Sequence, residues 1–135
     1  MMNKKCVFCQ IIKKESPAEI IYENHNIIAI LDIDPINDGH VLVIPKEHLQ
    51  DLDGLEDNLL CEITKYTKHI LKTLNKVFKM EGYSIMHNGG YFDDIGHFHL
   101  HIFPRYWNDG FSWTYKSSNE TKTLNEVKEL LLENI

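Results

Sequence analysis

The sequence predicts an α+β fold: a five-stranded, mostly antiparallel sheet with one long helix and short helices at its N- and C-terminal ends. Three observations predict it. Five short runs are rich in β-branched or alternating apolar residues and are separated by turn chemistry. One stretch, from Asp53 to Met80, carries an apolar stripe at helical spacing. The chain of 135 residues, 43% of them hydrophobic, suits one core, and it contains no repeat, low-complexity segment or composition break that would divide it.

In chain order, VFCQIIKKE (7 to 15) places Val7, Phe8, Ile11 and Ile12 on one helical face, and Ser16-Pro17 ends the pattern. AEIIYE (18 to 23) and NIIAILDI (26 to 33), separated by Asn24 and His25, read as a hairpin. Pro35 to Gly39 is loop chemistry, and VLVI (41 to 44) is a buried strand stopped by Pro45. Leu59, Ile63, Ile70, Leu74 and Val77, widened by Leu60, Leu71 and Phe78, make the long helix, with Asp53 as its N-cap and Glu56 completing a capping box. Cys61 falls in that pattern and is expected to be a small buried hydrophobe. Tyr83 to Met86 and Phe98 to Phe103 are two further strands joined by the glycine-rich HNGGYFDDIG. Thr123 and Glu126 repeat the cap signature before Leu124, Val127 and Leu131, so a terminal helix is expected, with the helices packed on the sheet.

A net charge of −6 with 14 scattered Lys and Arg argues against a sequence-independent grip on nucleic acid. No run of about 18 apolar residues spans a bilayer, and MMNKKCVFCQ lacks a signal-peptide core, so a cytoplasmic protein is expected. Three cysteines are an odd number, and in a reducing compartment the close pair Cys6 and Cys9 points to metal or redox chemistry instead of a disulfide.

The stretch GHFHLHIFPR (96 to 105) has histidine at every second position. On a strand, His97, His99 and His101 form a row about 13 Å long on one face, with Phe98, Leu100 and Ile102 on the other. The second face suits the core, leaving the imidazoles to line water or a cleft. A metal bound by the row itself is one reading. Nucleophilic catalysis is another, because a neutral imidazole that donates from one nitrogen attacks with the other.

His97-Phe98-His99-Leu100-His101-Ile102-Phe103 resembles the signature of the histidine-triad (HIT) family. VFCQIIKKESPAEIIYENHNIIAILDIDPINDGHVLVIPKEH resembles the family's first half, including Asp32-Ile33 and Gly39-His40. The resemblance covers about residues 6 to 106 of a single HIT-like domain, with 107 to 135 as a tail and helix. It implies a nucleotide hydrolase or transferase that cleaves a nucleoside monophosphate from a phosphate- or nitrogen-linked leaving group, such as a dinucleoside polyphosphate or a nucleoside phosphoramidate. His99 would attack the α-phosphorus and form a nucleotidyl-histidine, oriented by the main-chain carbonyl of His97. His101 and His40 would complete the imidazole cluster at the phosphate, with Asn88 beside it. Asp32 would accept the ribose hydroxyls, and Val7, Phe8, Ile11, Ile30 and Ile33 would form the slot for a purine base. A homodimer is implied by the family alone.

Cys6-Val7-Phe8-Cys9 is half of a zinc site by spacing, since two intervening residues let both thiolates reach one ion. A redox dithiol is the rival, with no βαβ context to support it. The resemblance supplies the other half, His48 and His97, giving a closed structural zinc site. The chain departs from the phosphoramidase pattern in NGGYFDDIGH, which lacks the usual Gly-Gln-Ser or Gly-Gln-Thr run. Main-chain N–H groups at Ile95 and Gly96 are the expected substitutes, whereas Asp93 and Asp94 would repel a phosphate unless a cation intervened. Trp107, Phe111 and Trp113 are expected to shape leaving-group choice, make a dimer contact or pack as a satellite. Two other classes stay open at this point: a nucleotide sensor or scaffold with little turnover, and a metal-handling protein using the histidine row.

Overall fold

The computed structural model describes residues 5 to 117 and 119 to 135. Its elements are α1 (Val7–Ile12), β1 (Ile20–Glu23), β2 (Ile27–Leu31), β3 (Val41–Pro45), α2 (Asp57–Phe78), β4 (Gly82–Met86), β5 (Leu100–Arg105) and α3 (Leu124–Leu132). The strands form one five-stranded sheet in the order β1-β2-β3-β5-β4, and all four pairings are antiparallel. The α+β architecture is therefore as the sequence predicts.

β2 and β3 lie inside the sheet and are covered on both sides, which explains their unbroken apolar runs. Ile27, Ala29, Val41 and Val43 face Ile63, Ile70 and Leu74 of α2. Ile28, Ile30, Leu42 and Ile44 face Phe8, Ile11 and Ile12 of α1. Alternation along each strand thus splits the core into two layers, and α1 owns the second. At six residues α1 is too short to be stable alone, so burial of Phe8, Cys9, Ile11 and Ile12 sets its place. It is shorter than the sequence pattern: Lys14 has φ 64°, and the amides of Glu15 and Ser16 turn back to the Gln10 carbonyl at 2.8 and 3.3 Å.

Several expected boundaries are corrected. Asp53 does not cap α2; it sits in a 3-10 turn, Leu52–Gly54, and the helix starts at Asp57 behind Glu56, which makes no side-chain cap bond. α2 ends at Phe78 because Lys79 adopts a left-handed φ of 47°, three residues before β4 begins to pair back along β5. Cys61 is exposed. The buried stripe of α2 runs through Ile63, Thr67, Ile70 and Leu74, and a residue two before Ile63 lies about 200° around the helix from it. β5 begins at Leu100, so His97 and His99 precede the strand. Pro45 closes β3 as its last paired residue, opposite Ile27. The capping box of α3 forms, with Glu126 N donating to Thr123 Oγ1 at 3.2 Å and Thr123 N to Glu126 Oε2 at 2.7 Å. None of its residues is buried, however, so α3 does not pack on the sheet as expected.

Gly39 joins the fold to the site. At φ +87° a side chain is strained, and a Cβ there would stand 2.6 Å from Phe78 Cε2. The loop before β3 can press against the end of α2, and so set His40 at the head of β3, only with glycine.

Candidate functional site

The register of the sheet brings the histidines together. His101 pairs with Leu42, whose side chain faces α1, while Ile102 pairs with Val41 on the α2 side. The histidine face is therefore not open to water: α1 covers it, and the Phe8 ring meets His97 and His99 edge-on, at centroid distances of 5.9 and 5.0 Å. His97 and His99 are 0% and 4% exposed.

Hydrogen bonds fix a different proton arrangement on each ring. His99 Nδ1 lies 2.8 Å from the His97 carbonyl oxygen, so it donates there and leaves Nε2 with a free lone pair. Ile36 N donates to His40 Nδ1 at 3.1 Å, so the His40 proton is on Nε2, which donates to His101 Nδ1 at 2.9 Å. His101 is thereby left with its proton on Nε2, a donor. Asp32 Oδ2 approaches the pair, 3.5 Å from His40 Nε2 and 3.8 Å from His101 Nδ1. His97 points its Nε2 to the Pro45 carbonyl at 2.8 Å and keeps a bare Nδ1.

That bare nitrogen faces two sulfurs: His97 Nδ1 is 3.5 Å from Cys6 Sγ and 3.6 Å from Cys9 Sγ, and His48 Nδ1 is 3.3 Å from Cys9 Sγ. One donor atom from each of Cys6, Cys9, His48 and His97 falls within 4.8 Å of the others. A zinc tetrahedron with Zn–S about 2.3 Å and Zn–N about 2.0 Å has S···N edges of about 3.5 Å, so this donor set fits that ion. Burial raises the Cys6 thiol, against a backbone hydrogen bond from Cys9 that lowers it, and a cation reverses that cost. The Pro45 carbonyl is the outer partner expected of a ligating imidazole.

A cavity of about 350 Å³ opens beside His99 and His101. Val7, Phe8, Ile11, Ile30 and Leu42 give it apolar walls, Asp32, Ile33 and Asp34 one rim, and Asp94 and Ile95 another. Among the described residues, no lysine or arginine lines it. His40 stands behind His101 and Asp32 as described above. Ile33 is 99% exposed, so it is a rim residue and not part of a closed slot. Asn88 follows β4, is partly buried and is not among the cavity's lining residues.

Two expectations about NGGYFDDIGH are corrected. The amides of Ile95 and Gly96 are not free for a phosphate, because both donate to Asp93 Oδ1 at 2.9 Å. Asp93, unlike Asp94, does not line the cavity either: its side chain is 0% exposed, with Oδ1 4.0 Å from His99 Nδ1. Sequence reasoning missed this inward turn, although Asp-Asp-Ile-Gly before a strand is an Asx-turn signature. In the tail, Phe111 packs edge-on against Phe103 and under the Arg105 guanidinium, 4.7 Å from its ring centre. Arg105 is in turn held by Asp109 at 2.7 Å, so Phe111 packs on the body of the domain, while Trp107 and Trp113 stay 87% and 65% exposed.

Burial pushes His101 down to about 4, with His99 and His40 nearby adding to the fall, and burial also lowers His40. In the unfolded chain these rings titrate near 6.5. Between about pH 6.5 and 4 the unfolded state therefore binds protons that the folded state refuses, and stability is lost as pH falls through that window. For His101 alone the loss from pH 7 to pH 5 is expected to be about 2 kcal/mol. Urea denaturation of the chain and of His101→Asn at both pH values measures it; an equal drop in both proteins would show that His101 contributes nothing.

A covered sheet with three spaced histidines beside an apolar, acid-rimmed cavity and a Cys2His2 cluster defines the histidine-triad class of α+β protein. The chain belongs to the HIT domain family, whose model matches residues 13–108. A HIT family protein of Bacillus anthracis superposes with a TM-score of 0.84 at 32% identity, covering 96% of this chain and 94% of that one. A zinc-bound histidine triad family protein of Mycobacterium smegmatis superposes at 0.74 and 34%, with 84% of each chain covered. The adenosine 5'-monophosphoramidase of Candida albicans is 35% identical over 109 residues, 76% of this chain and 72% of its own.

Proposed function

We propose that this chain hydrolyses a purine nucleoside monophosphate conjugate, a nucleoside phosphoramidate or a dinucleoside polyphosphate, through a nucleotidyl-His99 intermediate. One observation carries the reading: the His97 carbonyl takes the Nδ1 proton of His99, which leaves a nucleophilic Nε2 beside a cavity of about 350 Å³. The apolar walls suit a base, with Val7, Phe8, Ile11 and Ile30 against its faces. Asp32, with Ile33 beside it on the rim, accepts ribose hydroxyls. His101, its Nε2 proton fixed by His40, donates to a phosphate oxygen. The phosphoramidase name of the Candida albicans relative supports the reaction class.

Nε2 of His99 forms a bond to the α-phosphorus, and the bond to the leaving group breaks with its electron pair going to the departing nitrogen or oxygen, which takes up a solvent proton if it is an amine. Water then attacks phosphorus, the P–Nε2 pair returns to the ring, and the water's proton goes to solvent. Cys6, Cys9, His48 and His97 hold a structural zinc in this reading, supported by the donor spacing and by the zinc-bound relative. Bound there, zinc would cross-link α1 to His48, beyond the end of β3, and to His97, three residues before β5. The reading also includes residence in the cytoplasm; among the described residues no helix is long and apolar enough to cross a membrane. A homodimer is supported by β4, an edge strand that leaves Tyr83 and Ile85 exposed.

The test incubates the protein with an adenosine phosphoramidate and with a dinucleoside polyphosphate, follows mononucleotide release, and weighs the acid-quenched intact chain. Release together with a one-nucleotidyl mass increase is expected. The Asp93 capture of the Ile95 and Gly96 amides favours the alternative, a binding module with little turnover. Tight mononucleotide binding with neither release nor adduct would establish that alternative and overturn the hydrolase.

A further inference from the structure

Asp93 is a buried carboxylate that the loop itself does not require. Its Oδ1 holds the turn by accepting from Ile95 N and Gly96 N, both at 2.9 Å. An asparagine oxygen at this position does the same without a charge. Yet the side chain is 0% exposed, Oδ2 is buried with no hydrogen-bond partner, and among the described residues its one ion-pair contact is His99 Nδ1 at 4.0 Å. A charge withdrawn from water with one oxygen bare is costly unless something nearby uses it.

We propose that Asp93 is a positioning residue for His99, whose carboxylate balances the positive charge the imidazole carries while a nucleotidyl group is bonded to Nε2. The proposal rests on the reading of His99 as nucleophile. Before attack the ring is neutral, with its proton on Nδ1. When the Nε2 lone pair bonds to phosphorus and the leaving group departs with its own pair, Nδ1 keeps its proton and the ring becomes a cation. The His97 carbonyl is a neutral acceptor and offers only a dipole to that cation. Asp93 offers a full opposite charge in a site shielded from solvent, where such a charge acts strongly. Hydrolysis of the intermediate returns the ring to neutrality, so the same carboxylate favours formation of the adduct and holds back its breakdown.

That opposite action on the two steps separates this role from a structural one. Asp93→Asn keeps the acceptor for both amides and removes the charge. Single-turnover mixing with an adenosine phosphoramidate is expected to show nucleotidylation of His99 about 100-fold slower than in the wild type, with KM changed less than about threefold. Breakdown of the adduct is expected to be faster, so less of it stands at steady state. Asp53→Asn, which removes an exposed carboxylate in the 3-10 turn outside the cavity, is expected to change nucleotidylation less than about threefold. If Asp93→Asn does not fold, Asp93→Ser, whose hydroxyl accepts from one of the amides, is read the same way. Nucleotidylation by the neutral variant within threefold of the wild type, or both steps slowed alike, overturns the proposal. So does an equal effect of Asp53→Asn. Failure of the wild type to form any adduct, or an adduct that persists in His99→Ala, sinks the nucleophile reading instead.

Discussion

Replacing His99 with alanine is expected to lower mononucleotide release by at least about 10⁴-fold and to eliminate the nucleotidyl adduct. The size follows from what no neighbour replaces. His101 presents a protonated Nε2, His97 has its Nε2 on the Pro45 carbonyl and its Nδ1 toward the sulfurs, and His40 is bonded at both nitrogens. Each of these rings is locked in an arrangement without a lone pair at the cavity, so removal of His99 leaves no substitute nucleophile. Binding of a mononucleotide is expected to survive, because the apolar walls and Asp32 are untouched. The check is a steady-state assay paired with calorimetry of mononucleotide binding. Turnover within tenfold of the wild type would mean that the chemistry does not pass through this ring.

Stripping the metal, or removing one ligand with Cys9→Ser, is expected to cost on the order of 3–5 kcal/mol, which for a chain of this size lowers the melting temperature by roughly 10–20 °C. The chain retains its α2-side core, so unfolding need not follow, and the loss concentrates on α1. Six residues of helix hold no structure alone, and Cys6 and Cys9 are its two anchors to His48 and His97. Because Val7, Phe8 and Ile11 also wall the cavity, KM for a nucleotide conjugate is expected to rise about tenfold while single-turnover chemistry at saturating substrate changes less. Metal analysis of the purified chain, expected to give one zinc per chain, followed by calorimetric melting with and without chelator, tests both parts. An unchanged melting temperature after complete metal removal would sink the structural role.

Much of this architecture is legible in the sequence because it is written locally. The apolar runs of β2 and β3, the stripe of α2 and the Thr123–Glu126 cap each follow from spacing and residue type alone. The histidine row was legible too, as was the Cys6–Cys9 pair, and resemblance added His48. Local patterns failed where two explanations fit the same residues. Asp53 has the chemistry of an N-cap and is spent on a 3-10 turn; Cys61 lies in an apolar stretch but on the wrong side of the stripe. An amphipathic α3 forms, and the described residues leave its Leu124, Val127 and Leu131 exposed.

The sequence by itself determined which groups are available: three alternating imidazoles, two close thiols, an acidic loop before the strand, and enough apolar pattern to build a sheet covered on both sides. Only the tertiary structure decided what each group does, because a nitrogen's role depends on which acceptor reaches its partner across the ring. Carbonyls from His97 and Pro45 divide His99 from His97, and an amide from the β3 loop sets the protons of His40 and His101. The same folding step turned Asp93 inward, toward the charge that His99 would bear, a position that no spacing along the chain records.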